Sequence, residues 1–287
     1  MSYPNFRPQG FAIPEVVKNI LIINVLMYFA TTVMESRGVD LTDALGLHYF
    51  LSEKFKIWQF ITYMFMHGSF LHILFNMFAV FMFGSAIESV WGPKKFLTFY
   101  ILTGLGAAVA HYAIVYYQMQ PAMVFLNDYI NAPSIEKLQG LISSEAFNNF
   151  SSQEMLEHYN SFTATFNEMM VSDPAGAMKY SVDFVKEFKA DIYNAPVVVG
   201  ASGAVFGLLL AYGMTYPNSI IYIYFAIPLK AKYFVILYGL IELFSGVANV
   251  PGDNVAHFAH LGGLVTGFII IQFWKNNNRK RQKDYFN

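Results

Sequence analysis

The sequence predicts an all-α membrane protein, a bundle of six transmembrane helices with a helical insertion on the outer face between helices three and four. Three observations carry that prediction. The 287 residues are 55% hydrophobic and 18% aromatic but only 13% charged, with a mean hydropathy of +0.40, too apolar for a soluble domain of this length. Six stretches approach the roughly 20 apolar residues that cross a bilayer: 16–34, 71–90, 96–117, 197–214, 233–250 and 255–274. A polar segment, 118–195, separates the third from the fourth.

Residues 1–14 hold one arginine and no apolar run ahead of a small-residue cleavage site, so they read as neither a signal peptide nor a transit peptide. There is no cysteine, which excludes disulfides and thiol chemistry. The net charge of -1 says little, because the charges segregate by side. Six spans put both termini on one face, and the basic run Lys275, Arg279, Lys280, Arg281 and Lys283 assigns that face to the cytoplasm of a cell-membrane protein. Lys94, Lys95, Lys230 and Lys232 fall on the same side, while Arg37, Lys54, Lys56 and the arginine-free 118–195 segment fall on the other. The expected organisation is therefore 1–117, helices one to three; 118–195, an extracytoplasmic helical insertion; 196–275, helices four to six; and 276–287, a basic cytoplasmic tail.

Within the insertion, Met155, Leu156, Tyr159, Phe162, Phe166, Met169 and Met170 recur at helical spacing behind Ser152, a candidate N-cap. A second helix is expected after Asp173-Pro174, with Met178, Val182, Val185, Phe188 and Ile192 on one face. The polar faces carry Glu154, Glu157, Glu168, Asp183, Glu187 and Asp191 against Lys179, Lys186 and Lys189, unlike the basic face of an interfacial helix. The pair is expected to pack against itself, the membrane core or a partner. On the outer face, it is expected to select substrates or gate their approach without taking part in bond breaking.

Serine is a weak nucleophile unless a neighbouring base takes its proton, and histidine is the usual base. Ser202 stands among Gly200, Gly203 and Gly207, and His260 precedes Gly263 and Gly267. The stripes Gly203-xxx-Gly207 and Gly263-xxx-Gly267 let two helix backbones approach closely enough for Ser202 and His260 to meet. Phe206, one turn after the serine, shares its face and offers a ring to stack on the histidine. His72 and Asn76 lie four residues apart on another helix, and both can donate to a developing oxyanion, with the serine's own backbone N–H completing the hole. Glu88, Glu242, His111 and Asn24 read as structural hydrogen-bonding groups.

At these residues the chain resembles the rhomboid family of intramembrane serine proteases. His67, His72 and Asn76 match the family's H-x4-H-x3-N pattern, Gly200-Ala201-Ser202-Gly203 matches GxSG, and Ala259-His260-Leu261-Gly262-Gly263 matches AHxxG. The likeness runs over all six spans, 16–274, leaving out the insertion. It implies a six-helix rhomboid-like bundle and a Ser202/His260 dyad, with His72, Asn76 and the Ser202 backbone binding the oxyanion. It also implies a water-filled cavity open to the outer face, where a single-span substrate's transmembrane helix unwinds and is cut near a small residue. The lipid bilayer and single-span membrane proteins are the implied partners; no cofactor, metal or nucleic acid is expected.

The motif glycine follows the histidine by three residues, so His260, not His257, is the base. Two positions depart from the family. Trp58-Gln59 stands where members often have Trp-Arg, and Phe206 stands where some have tyrosine. Two rival readings remain: a non-catalytic rhomboid-like protein that binds membrane clients, and a metal-handling protein built on His67, His72, His257 and His260. Possession of both Ser202 and His260 weighs against the first. The lack of cysteine and of carboxylates near those histidines weighs against the second.

Overall fold

The structure, a computed structural model, describes residues 13–144, 153–223, 226–248 and 255–284. It is mostly helical, as expected, and divides into two compact units. One comprises the chain up to residue 45, 60–111 and the chain from 199 onward; the other comprises 46–59 and 112–198.

The first unit starts with α1 (Glu15–Glu35), short α2 (Leu41–Leu45), α3 (Gln59–Thr62, only its first residue in the other unit) and a 3-10 turn at Tyr63–Phe65. Next come α4 (Phe70–Ala79), a π-helical turn at Val80–Gly84 and α5 (Ser85–Trp91), which together make one apolar helix, Phe70–Trp91. The chain continues into α6 (Pro93–Asn131), whose first half belongs to this unit. Five helices among the described residues are long and apolar enough to cross a membrane: Glu15–Glu35, Phe70–Trp91, Pro93–Asn131, Ala231–Ala248 and His257–Asn277.

The third and fourth expected spans have different ends in the structure. α6 does not stop at residue 117 but runs through Pro121 to Asn131. In the fourth expected span, 197–214, the helix starts only at Ser202. Val197 and Val198 form a strand, and Gly200 takes φ +123°, a conformation no helix can include. The resulting helix has 14 residues and is too short by length alone to count with the five.

Pro14, which precedes α1, offers no side-chain cap. Glu88 supplies it from elsewhere in the chain. Its carboxylate accepts the Val16 N–H at 2.9 Å and the Val17 N–H at 2.8 Å, filling two of the first-turn donors that a helix leaves unpaired. One turn further along at the same end of the bundle, Lys95 lies over the rings of Trp91 and Trp274, at 5.0 and 4.6 Å from their centroids.

The second unit holds β1 (Leu47–His48), the second half of α6, α7 (Ile135–Ile142), α8 (Gln153–Ser172), α9 (Pro174–Asn194) and β2 (Val197–Val198), which pairs antiparallel with β1. Its core gathers Met123, Leu126, Tyr129, Leu138, Leu141, Phe162, Phe184, Val185 and Phe188, so the insertion packs against itself. Phe162 and Phe184 stack with centroids 3.8 Å apart. Asp173 caps α9 through the Gly176 N–H at 3.0 Å, and Pro174 occupies its first turn. Ser152 and the side chain of Met155 lie outside what is described. Gln59, in place of the family arginine, is fully buried and holds its own loop. Its Oε1 accepts from the Lys56 N–H at 3.1 Å and the His48 N–H at 3.4 Å, and its Nε2 donates to the Lys54 carbonyl at 3.1 Å.

The first unit closes with α10 (Ser202–Thr215), a hairpin of β3 (Ile220–Ile223) and β4 (Ile227–Lys230), α11 (Ala231–Ala248) and α12 (His257–Asp284). Glu88→Ala removes both caps of α1 and is expected to destabilise the protein by about 1–3 kcal/mol, measured by thermal unfolding in detergent. Unchanged unfolding would mean that water caps the helix equally well.

Candidate active site

α10 and α12 meet through glycine. A Cβ on Gly263 would fall 1.9 Å from the Gly203 carbonyl oxygen, and one on Gly267 would fall 3.4 Å from the Gly207 Cα. α6 forms the third wall: a Cβ on Gly262 would lie 2.4 Å from the Ala110 Cβ, and one on Gly203 would lie 2.4 Å from the Ala107 Cβ. Backbones this close bring short side chains into contact across the interface.

Ser202 Oγ lies 2.8 Å from His260 Nε2. Phe206 stacks on the His260 ring at 4.3 Å with 9° between planes, and the Tyr238 ring lies 4.9 Å from it. His260 Nδ1 lies 2.8 Å from Glu242 Oε2 on α11, and His257 Nδ1 lies 2.7 Å from the same oxygen. Sequence reasoning missed this convergence. Its signal was present: an acid in mid-span, and two histidines three residues apart on one helical face.

Gly200 joins this centre to α4. Its N–H donates to the Tyr63 carbonyl at 2.9 Å, and the Tyr63 hydroxyl donates to the Gly104 carbonyl at 2.8 Å, tying the approach to Ser202 into the bundle. A Cβ on Gly200 would meet His72 Nε2 at 2.7 Å and Asn76 Nδ2 at 3.6 Å, so both side chains point at the backbone two residues before the serine. Ser69 caps α4, its Oγ accepting the His72 N–H at 3.2 Å. His67 packs edge-on to His72 at 4.9 Å, and burial pushes its pKa down to about 3, so it stays neutral near pH 7. Asn76 is 6% exposed, and its Nδ2 has no hydrogen-bond partner. A buried donor left unpaired is costly, and its presence calls for a reason.

Among the described residues, Glu242, His257 and His260 are the group whose ligand atoms come within 4.8 Å of one another. The expectation that no carboxylate stands near these histidines is therefore wrong: α11 delivers Glu242 to both. The spacing nevertheless suits protons better than a metal. Tetrahedral ligands at about 2.0–2.2 Å from zinc sit roughly 3.3 Å apart, whereas these N···O separations are 2.7 and 2.8 Å.

Fold and site together define a multi-pass helical membrane protein with a serine–histidine contact inside its helix bundle. The chain belongs to the rhomboid family: the Rhomboid domain model matches residues 54–126 and 155–275. That match differs from the expected extent. It begins after the first apolar helix, and it takes in much of the 118–195 segment. Rhomboid protease AarA of Providencia stuartii is 30% identical over 104 residues, 35% of this chain and 37% of that protein. Rhomboid-like protein 15 of Arabidopsis thaliana is 29% identical over 104 residues, 36% of this chain and 25% of that protein. Rhomboid protease GlpG of Salmonella choleraesuis (strain SC-B67) is 31% identical over 86 residues, 30% of each chain. The chain thus spans well under half the length of these relatives.

Gly263→Ala forces α10 and α12 apart, because the contacting atom is backbone carbonyl rather than a flexible side chain. Overpacking of this kind costs about 1–3 kcal/mol or more. The expected result is a lower unfolding temperature together with loss of Ser202 labelling by a fluorophosphonate probe at temperatures where the variant is still folded. Labelling at the wild-type rate would show that the glycine contact does not set the Ser202–His260 distance.

Proposed function

We propose that this chain is an intramembrane serine endopeptidase that cuts transmembrane segments of single-span membrane proteins near the outer face. It works from within the bilayer of the cell membrane, with both termini in the cytoplasm. The observation that carries the reading is the 2.8 Å contact between Ser202 Oγ and His260 Nε2 inside a glycine-packed bundle. Family membership and the protease names of its relatives support it. The lysine and tryptophans at one end of the bundle support the orientation.

As Ser202 Oγ attacks the scissile carbonyl carbon, its proton passes to His260 Nε2, and the same nitrogen then hands it to the leaving amine. Water attacks the resulting acyl-enzyme with the roles reversed, releasing the new carboxylate and restoring the serine. The charge that develops on the carbonyl oxygen is met by His72, by the Asn76 amide and by the Ser202 backbone N–H, a first-turn donor without an intrahelical acceptor. The unpartnered Asn76 Nδ2 favours this assignment over a purely structural one. Phe206 holds the imidazole plane, and Gly200, Gly203, Gly263 and Gly267 hold the distances.

The deciding measurement is cleavage of a panel of single-span substrates by the purified protein in liposomes. Ser202→Ala and His260→Ala are expected to abolish cleavage while remaining folded, and His257→Ala to retain substantial activity. Full activity in either of the first two sinks the reading, and equal binding of the substrates without cleavage by wild type would favour a client-binding protein.

Asn76→Ala is expected to lower turnover on the order of 10²-fold with little change in KM. Its unfolding temperature should hold, since the group removed has an unpaired donor. Unchanged turnover removes Asn76 from the oxyanion site.

A further inference from the structure

Among the described residues of the first unit's helices two acids are buried, Glu88 and Glu242, and where Glu88 takes backbone amides Glu242 takes ring nitrogens. Its Oε2 takes His260 Nδ1 at 2.8 Å and His257 Nδ1 at 2.7 Å, while the opposite side of the His260 ring meets Ser202 Oγ at 2.8 Å. The four groups form one chain, His257–Glu242–His260–Ser202, drawn from α10, α11 and α12. We propose that Glu242 is the third member of a Ser202–His260–Glu242 triad, with His257 fixing the carboxylate in place. This rests on the protease reading for its consequence but not for its geometry.

The argument is one of donors and acceptors. A neutral imidazole has one N–H and one bare nitrogen, and the hydrogen bond at one nitrogen decides which is which. An ionised carboxylate accepts only. With Glu242 ionised, Nδ1 of His260 must carry the proton, leaving Nε2 bare and facing the serine hydroxyl, as a base requires. When Ser202 Oγ attacks, the Oγ–H bond breaks, the proton bonds to Nε2, and the imidazolium formed is stabilised by the carboxylate beside it. Glu242 gains no proton in the step, and Nε2 loses its own to the leaving amine. His257 donates to the same oxygen and so fills its second lone pair. It therefore clamps the carboxylate without touching the reacting atoms, which accords with its place three residues before His260 on α12.

Glu242 acts through His260 and is a positioning residue. The isosteric change Glu242→Gln separates this role from packing. A glutamine keeps the shape but can present its NH2 to Nδ1, and this selects the tautomer whose proton blocks Nε2. In a serine protease triad the corresponding change lowers turnover by about 10⁴-fold. Because Phe206 also orients the ring here, the expected loss in kcat is on the order of 10²-fold or more, with KM changed less than about twofold.

The tautomer can be read without any substrate. In protein labelled with ¹⁵N at histidine, the His260 signal, assigned by its loss in His260→Ala, is expected to show a protonated Nδ1 and a bare Nε2. Glu242→Gln is expected to alter that pattern. A wild-type His260 protonated at Nε2 overturns the proposal, as does a Glu242→Gln variant with kcat within about twofold of wild type. Stoichiometric zinc binding that displaces both Nδ1 protons would also overturn it and make the cluster a metal site. If wild type and Ser202→Ala cleave nothing, the protease reading has failed, yet the tautomer measurement still decides the role of Glu242.

Discussion

The close approach of α10 to α12 is the constraint on which the rest of the site depends. Gly263 leaves no room for a Cβ against the Gly203 carbonyl, and Gly267 sits over Gly207 one turn further along. Contact between backbones fixes the axial register as well as the separation, because a shift along either helix would drive a side chain into the neighbouring chain. Ser202 is one residue from its contacting glycine and His260 three from its own, so the glycine register is also the serine–histidine register. In a bilayer no hydrophobic push separates helix from lipid, and association rests on close packing and on hydrogen bonds between helices. Both devices are spent at this interface.

A bundle packed this tightly must satisfy its polar groups internally, and the distribution of satisfied and unsatisfied groups carries information. The Tyr63 hydroxyl has the Gly104 carbonyl, and the Gly200 N–H has the Tyr63 carbonyl. Glu88 has two backbone donors and Glu242 two imidazoles. Asn76 Nδ2 lacks a partner, as do the Ser85 and Tyr100 hydroxyls, but Asn76 alone of these three stands beside Gly200, on a helix whose first turn is capped by Ser69. A donor held unpaired at the serine's end of the bundle costs stability, and the proposed oxyanion role would account for that cost.

Much of this could be read from the sequence, because apolar length, glycine spacing and residue type are local quantities. Five of the six expected spans and the glycine stripes follow from positions within single helices, and the Ser202–His260 contact and the Phe206 stack follow from laying the two stripes against each other. Helix ends were less legible. Gly200 interrupts the apolar run of the fourth span, taking a positive φ while its N–H bonds the carbonyl of Tyr63, over a hundred residues earlier. α6 outlasts its apolar stretch because its second half joins the insertion's core through Met123, Leu126 and Tyr129. Phe184 was missing from the expected face of α9, yet it stacks on Phe162 at that core's centre. Gln59 illustrates the same point from the other side: a substitution that looks like the loss of an anchor proves to be a different anchor, because an amide can accept and donate within one short loop.

Glu88 and Glu242 show where residue type and depth stop being informative. Both are acids within apolar helices, both are buried, and both accept two hydrogen bonds through nitrogen donors. Read from sequence alone they carry the same meaning. Their partners separate them. The donors on Glu88 are backbone amides, whose protons never leave, so the carboxylate there fixes a helix end and nothing more. The donors on Glu242 are imidazoles, each of which chooses between two tautomers and can take on charge. A carboxylate facing backbone sets structure; one facing an imidazole also sets which nitrogen is free to act as a base. The difference arises only when α11 and α12 are brought together, and the glycine contact that aligns α12 with α10 then carries that choice of nitrogen to Ser202.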